Sequence, residues 1–113
     1  IQSDYVFVFA KDRIGEGDDA LGKKLAGSFL ETLWEMEKRP GKIIFLNSGI
    51  FLCLKDSPHL EALRSLEKLG VEILICGTCV EYYKKTDEIG IGEISNAYKI
   101  LSSITGAGKV ISL

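Results

Sequence analysis

What the 113-residue sequence has little of narrows its function before any motif is read. Sixteen acidic residues face 14 basic ones for a formal net charge of -2, and no basic run occurs anywhere. The chain therefore lacks the electrostatic footprint of a nucleic-acid binder or of a protein held on an anionic membrane. It also lacks a long apolar run. A membrane-spanning helix takes about 20 consecutive apolar residues, whereas the longest runs here, Tyr5 to Ala10 and Ile50 to Leu54, are strand-sized. A soluble chain is expected. Three cysteines, an odd number without a repeated framework, disfavour a disulfide-stapled secreted scaffold and make a reducing cytoplasm the default compartment. No linker, repeat or low-complexity tract interrupts the sequence, so residues 1–113 read as one domain with a sizeable core. The first residue is Ile1 rather than Met, which suggests a fragment of a longer polypeptide.

What is present is an alternation of two periodicities. Tyr5 to Ala10 is continuously apolar and rich in aromatic and β-branched residues, as a strand buried on both faces requires. Lys11 to Asp18 reads as a loop, with Asp18 as N-cap of a helix whose inward face is expected to carry Leu21, Leu25, Phe29, Leu33 and Met36. Pro40-Gly41 is expected to break that helix before a second strand, Lys42 to Leu46, ends in Asn47-Ser48-Gly49. Ser57-Pro58 predicts the start of a second helix carrying Leu60, Leu63, Leu66 and Leu69 and closing at Gly70. Val71 to Cys76 is a third strand, followed by Gly77-Thr78-Cys79 and a short segment over 80–84 able to start a helix. A weak fourth strand is expected at 88–91. Ser95 is expected to cap a last helix with Ile94, Tyr98, Leu101 and Ile104 inward, before a final strand over 109–113. This order predicts a three-layer α/β/α sandwich around a mainly parallel five-stranded sheet of Rossmann or flavodoxin-like type.

Sites in open parallel sheets gather outside the carboxyl ends of the strands. The loop after the third strand puts Cys76 at a strand end and Cys79 where a helix should begin. There, unpaired amides and the helix dipole favour the thiolate, which is the form that attacks a disulfide, persulfide or electrophile. Both cysteines also fit an inert role as small buried hydrophobes, Cys76 more readily than Cys79. A thioredoxin-type exchange reading is disfavoured, because neither Pro40 nor Pro58 falls where that fold places its later proline. Zinc on Cys53, His59, Cys76 and Cys79 is disfavoured by the loose spacing of the first two. No metal or other cofactor is expected. Gly15, Gly17 and Asp18 superficially resemble a phosphate cradle, but the acidic residues around them would repel a polyphosphate, and turn formation and capping account for them. Asn47-Ser48-Gly49 either presents amides and a hydroxyl toward the Cys79 loop or is a plain turn. The apolar segment 50–54 is either a subunit interface or cover for the Cys79 pocket, or ordinary packing. Tyr82, Tyr83 and Trp34 are read as amphipathic anchors without chemistry.

Four stretches taken together, Gly15-x-Gly17-Asp18-Asp19-x-Leu21-Gly22, Ile44-Phe45-x-Asn47-Ser48-Gly49, Cys76-Gly77-Thr78-Cys79-x-x-Tyr82-Tyr83 and Gly92-Glu93-x-x-Asn96-x-Tyr98, resemble the DsrE-like domain of the YedF proteins. Those are described as sulfurtransferase-like proteins of selenium metabolism. The resemblance implies a DsrE-like fold, assembly into homo-oligomers, and an upstream TusA-like domain able to act as persulfide donor. It also implies a persulfide-bearing cysteine in a sulfur relay, the place at which Cys79 falls. The expected function is thus a sulfurtransferase or a sulfur or selenium carrier using Cys79 and Cys76, with Gly77, Thr78, Asn47, Ser48, Gly49, Gly15, Gly17 and Asp18 about the site. The alternative is a non-catalytic interaction or small-ligand regulatory module on the same fold. The residues at 51–53, Phe-Leu-Cys, depart from the more polar stretch expected after Gly49.

Overall fold

From Tyr5 to Phe9 every side chain is buried, and the alternation of the pleat sends them to two different cores. Tyr5, Phe7 and Phe9 enter one face together with Ile43, Phe45, Ile73 and Ile75, while Val6, Val8, Ile44 and Leu74 enter the other. This double burial is why these strands are apolar without interruption. The computed structural model describes residues 2–113; Ile1, on which the fragment reading rests, lies outside the described residues. Its strands are β1 (Gln2–Phe9), β2 (Arg39–Phe45), β3 (Glu72–Cys76), β4 (Glu93–Ser95) and β5 (Lys109–Ser112). They form one sheet in the order β4-β3-β2-β1-β5, and every pairing is parallel.

Helix α1 (Asp19–Leu33) joins β1 to β2, and α2 (Leu60–Lys68) joins β2 to β3. The short α3 (Gly77–Tyr82) follows β3 on the same side of the sheet, where Val80 enters the larger core. Helix α4 (Ala97–Thr105) instead covers the opposite face through Ile100 and Ile104, carrying the chain back across the sheet to β5. The result is the expected three-layer α/β/α sandwich. Among the described residues no helix is long and apolar enough to cross a membrane.

Several local expectations are corrected. Pro40 and Gly41 lie within β2, which begins at Arg39, because α1 has already ended at Leu33. The buried face of α1 is Gly22, Ala26, Gly27, Leu30 and Leu33, leaving Leu21, Phe29 and Met36 largely exposed. Close approach decides this: a Cβ on Gly27 would overlap the His59 ring at the start of α2, and one on Gly22 would come within 2.9 Å of Arg13 Cβ. Helix α2 starts two residues after Pro58. Ser57 Oγ still accepts a bond from the His59 N–H at 3.1 Å, and Leu69 stays exposed. The fourth strand lies at 93–95 rather than 88–91, where a 3₁₀ turn (Thr86–Glu88) and a single bridge from Leu54 to Ile89 occur instead. Asn96, not Ser95, caps α4 through Oδ1, accepting from the Lys99 N–H at 2.8 Å. With that cap, Ile100 faces inward and Tyr98 and Leu101 face out.

Candidate functional site

Residues 47–53, expected as a turn running into a loop, form a 3₁₀ segment (Asn47–Cys53) that follows β2 at the carboxyl end of the sheet. Ile50, Leu52 and Cys53 are buried in the larger core. That placement answers the question of the apolar 50–54 run in favour of packing, with Phe51 alone half-buried. The segment is fastened by two backbone bonds and one to a side-chain hydroxyl. Leu46 N–H donates to Phe9 O at 2.9 Å, Gly49 N–H to Leu46 O at 2.8 Å, and Asp12 N–H to Ser48 Oγ at 3.2 Å. Gly49 sits against the Phe9 carbonyl, where any Cβ would overlap it.

This fastening aims Asn47 at the cysteine. Asn47 takes a left-handed conformation, φ 49, which asparagine tolerates better than most residues. In it the Asn47 N–H donates to Cys79 Sγ at 3.1 Å. Tyr83 holds the arrangement by donating its hydroxyl to Asn47 Oδ1 at 2.6 Å, while its ring packs on Phe51 with centroids 4.8 Å apart. Cys79 is the third residue of α3 and Cys76 its N-cap. Gly77 between them lets α3 start close against β4, since a Cβ there would lie 2.8 Å from Ser95 O. Thr78 is exposed. The structure therefore brings together Cys79, Cys76, Asn47, Gly77 and Thr78, with Ser48 and Gly49 supporting Asn47.

Gly15, Gly17 and Asp18 sit elsewhere in the first loop. Asp18 Oδ1 caps α1, accepting from Ala20 and Leu21 at 2.8 and 3.2 Å, and a Cβ on Gly15 or Gly17 would meet nothing within 4 Å. The four residues weighed for zinc do not assemble. His59 packs on Gly27 with Nδ1 3.3 Å from Glu31 Oε2, and no cluster of three or more His, Cys, Asp or Glu suited to a metal occurs among the described residues.

The electrostatics correct one expectation. The Cys79 thiol titrates above, not below, its ordinary range. Burial pushes it up first and the neighbouring Cys76 adds to this; the Asn47 amide pulls it down but is outweighed. A six-residue helix supplies little dipole, and burial penalises a thiolate directly. At neutral pH the resting side chain is the thiol, with one amide donor already aimed at the sulfur to receive charge when the proton leaves.

Tyr83 is the residue the sequence reading missed. The available signal was its spacing: four residues after Cys79 places both on one helical face. Exchange of Tyr83 for phenylalanine keeps the ring on Phe51 and removes one hydrogen bond. It is expected to cost about 0.5–1.5 kcal/mol of stability and to move the midpoint of the pH–rate profile for Cys79 alkylation to higher pH, because the left-handed Asn47 amide loses its tether. An unmoved midpoint would show that Asn47 needs no such support.

A crevice of about 430 Å³ opens beside the pair, lined by Gly77, Thr78, Glu81, Ser95 and Asn96. It lies where β3 and β4 send their following helices to opposite faces, the usual place for ligands in open α/β sheets. Two further cavities, of about 320 and 580 Å³, open toward the opposite end of the sheet, away from Cys79.

The all-parallel five-stranded sheet in this order, with α4 alone on one face, is a DsrE-like fold, as the likeness to solved structures shows. Among solved structures it is similar to the ychN protein from E. coli, with TM-score 0.65 and 16% identity over 100% of both chains. It is equally similar to MTH1491 from Methanobacterium thermoautotrophicum, described as a protein of unknown function, with TM-score 0.65 and 16% identity over 96% of this chain and 97% of that one. No family model matches the sequence, and no curated protein does.

Proposed function

We propose that the protein is a persulfide carrier, in which Cys79 accepts a sulfane sulfur, or selenium in its place, from a partner persulfide and passes it on. The observation that carries this reading is the Asn47 N–H directed at Cys79 Sγ at 3.1 Å. It is a preorganised donor at the atom that becomes anionic both when the thiol attacks and when it leaves. The attacking thiolate displaces the donor's thiolate from its outer sulfur, leaving Cys79–S–SH. Asn47, held in place by Ser48 and Gly49, flanks one side of that group, and Gly77 and Thr78 border the crevice on the other. A raised thiol pKa is compatible with transfer, because nucleophilicity per thiolate rises with basicity. The exposed loop containing Gly15, Gly17 and Asp18 is the proposed docking contact for the donor, tied to the site through Asp12 and Ser48. The DsrE-like fold and the resemblance to YedF sequences support a TusA-like donor domain or another sulfur-relay protein as partner. They also support a homo-oligomeric state and residence in the reducing cytoplasm.

Mass spectrometry after exposure to glutathione persulfide tests this directly. Sulfur uptake is expected at Cys79, seen as bound persulfide or as the hydrosulfide it later releases, and the Cys79→Ser variant is expected to lose both completely; equal labelling of the variant would end the proposal. The raised Cys79 pKa favours a second reading, a non-catalytic binding module built on the same loops. Under that reading Cys79→Ser leaves partner binding and cellular phenotype unchanged.

A further inference from the structure

Residues Cys76 and Cys79 hold the N-cap and third positions of α3. In a capping box the side chains at these two positions reach across the first turn, each to the other's backbone amide, so both stand at the same helix end. Cys76 has extended backbone angles, φ -63 and ψ 116, so its side chain stands at the mouth of that turn rather than along the helix. It is partly buried against the core on the α4 side of the sheet, while Cys79 is partly buried against the other core, so the first turn of α3 sets the pair astride the carboxyl edge of β3. They are near enough for Cys76 to raise the Cys79 pKa both as a hydrogen-bond partner and as a charge. Both are free and only half-buried, whereas the third thiol, Cys53, is wholly buried.

We infer that Cys76 is a resolving thiol, so that a persulfide formed on Cys79 ends as hydrosulfide and a Cys76–Cys79 disulfide. This rests on the carrier reading above and specifies what becomes of the sulfur. The Cys76 thiolate, its proton lost to solvent, attacks Sγ of Cys79–S–SH. The new bond is Sγ to Sγ, the bond broken is that to the sulfane sulfur, and HS⁻ leaves with the electron pair. The sulfane sulfur is thereby reduced to sulfide and the two thiols are oxidised to a disulfide, so one turnover needs no further reagent. Exchange with a low-molecular-weight thiol, released as its own disulfide, restores the pair. Holding the attacker three residues away makes the step intramolecular, where effective concentrations far exceed those of free thiols. A disulfide needs Cβ atoms about 3.5–4.5 Å apart, so closing it requires the first turn of α3 to bring Cys76 and Cys79 to that separation. A persulfide that lasts long enough for transfer must then be drawn off by an acceptor before Cys76 closes on it; otherwise the protein delivers sulfide, or selenide, as a small ion.

The test loads the full chain with glutathione persulfide in the absence of other reductants and follows released hydrosulfide, intact mass and the peptide spanning 76–79. The native chain is expected to release one equivalent of hydrosulfide and to lose two hydrogens as the 76–79 disulfide. Cys76→Ser is expected to retain one added sulfur on Cys79 and to release hydrosulfide at least about tenfold more slowly. Cys76→Ala is the second variant, should serine disturb the strand end. A native chain that keeps a stable persulfide and forms no disulfide overturns the resolving role while leaving the carrier reading intact. Failure of both Cys76 variants and the native chain to take up sulfur overturns the carrier reading itself.

Discussion

Replacing Gly49 with alanine is expected to destabilise the protein by about 3 kcal/mol, the upper end for overpacking a tight site, and to lower its Tm by roughly 10 °C. The reason is that the obstacle is backbone. A Cβ at position 49 would overlap Phe9 O, with Phe9 C 3.0 Å and Lys11 N 3.5 Å away. No flexible side chain stands there to move aside. The same few atoms hold the hydrogen bond from Leu46 N–H to Phe9 O and, through Ser48, the bond to Asp12 N–H. Separating the two loops also displaces Asn47, two residues upstream of the added methyl group, and with it the amide directed at Cys79. The variant should therefore combine a lower urea midpoint with slower Cys79 alkylation at a fixed pH. Gly15→Ala is the comparison. It adds a Cβ in open space at φ 80 and should cost only the conformational penalty of about 1–2 kcal/mol, without touching the thiol. If Gly49→Ala were as stable as the native chain, the close packing of the first two loops would be disproved.

The contrast between these two glycines shows what the sequence makes legible. The strands β1, β2 and β3 declare themselves because burial on both faces demands uninterrupted apolar residues, and their alternation with helical segments implies parallel crossovers. The inward side of α1 does not declare itself. Reading hydrophobicity selects Leu21, Leu25, Phe29 and Met36, but a helix packed tightly on a sheet and on α2 needs its smallest residues inside. Gly22, Ala26 and Gly27 are buried for that reason. In α4 a shift of the cap from Ser95 to Asn96 is enough to turn Tyr98 and Leu101 outward. Strand β4 is short and at the edge, so its sequence carries no apolar run. At the site, Cys79 and Asn47 are visible because each follows a strand end. Tyr83 is not, because its role depends on a loop 36 residues away in sequence that only the folded sheet brings beside it.

Alkaline pH provides the second large effect, and its sign follows from where the protons sit. Cys53 is wholly buried, and burial first, with the Glu67 charge adding to it, pushes its thiol far above the ordinary range. In the unfolded chain the same thiol ionises near its usual value of about 8.5. Above that pH the native state binds more protons than the unfolded state, so stability falls as pH rises, by up to about 1.4 kcal/mol per pH unit for this one group. Below it the contribution is complete and constant. Urea melts at pH 7, 9 and 10 should thus show a progressive loss in the native chain. Cys53→Ala should start about 1 kcal/mol lower at neutral pH, from the small cavity, and then lose markedly less on going to pH 10. Tyr5, also raised by burial and donating to Lys38 O at 2.6 Å, adds to the slope only toward the top of this range. An unchanged slope in Cys53→Ala would mean that the buried thiol ionises without unfolding the core around it. Cys79 contributes with the same sign, because its folded pKa is also raised. Its share disappears in Cys79→Ser but not in Cys53→Ala, so the two variants separate a thiol buried for packing from one held half-buried beside an amide, and the Cys79 share should titrate over the same pH range as its alkylation.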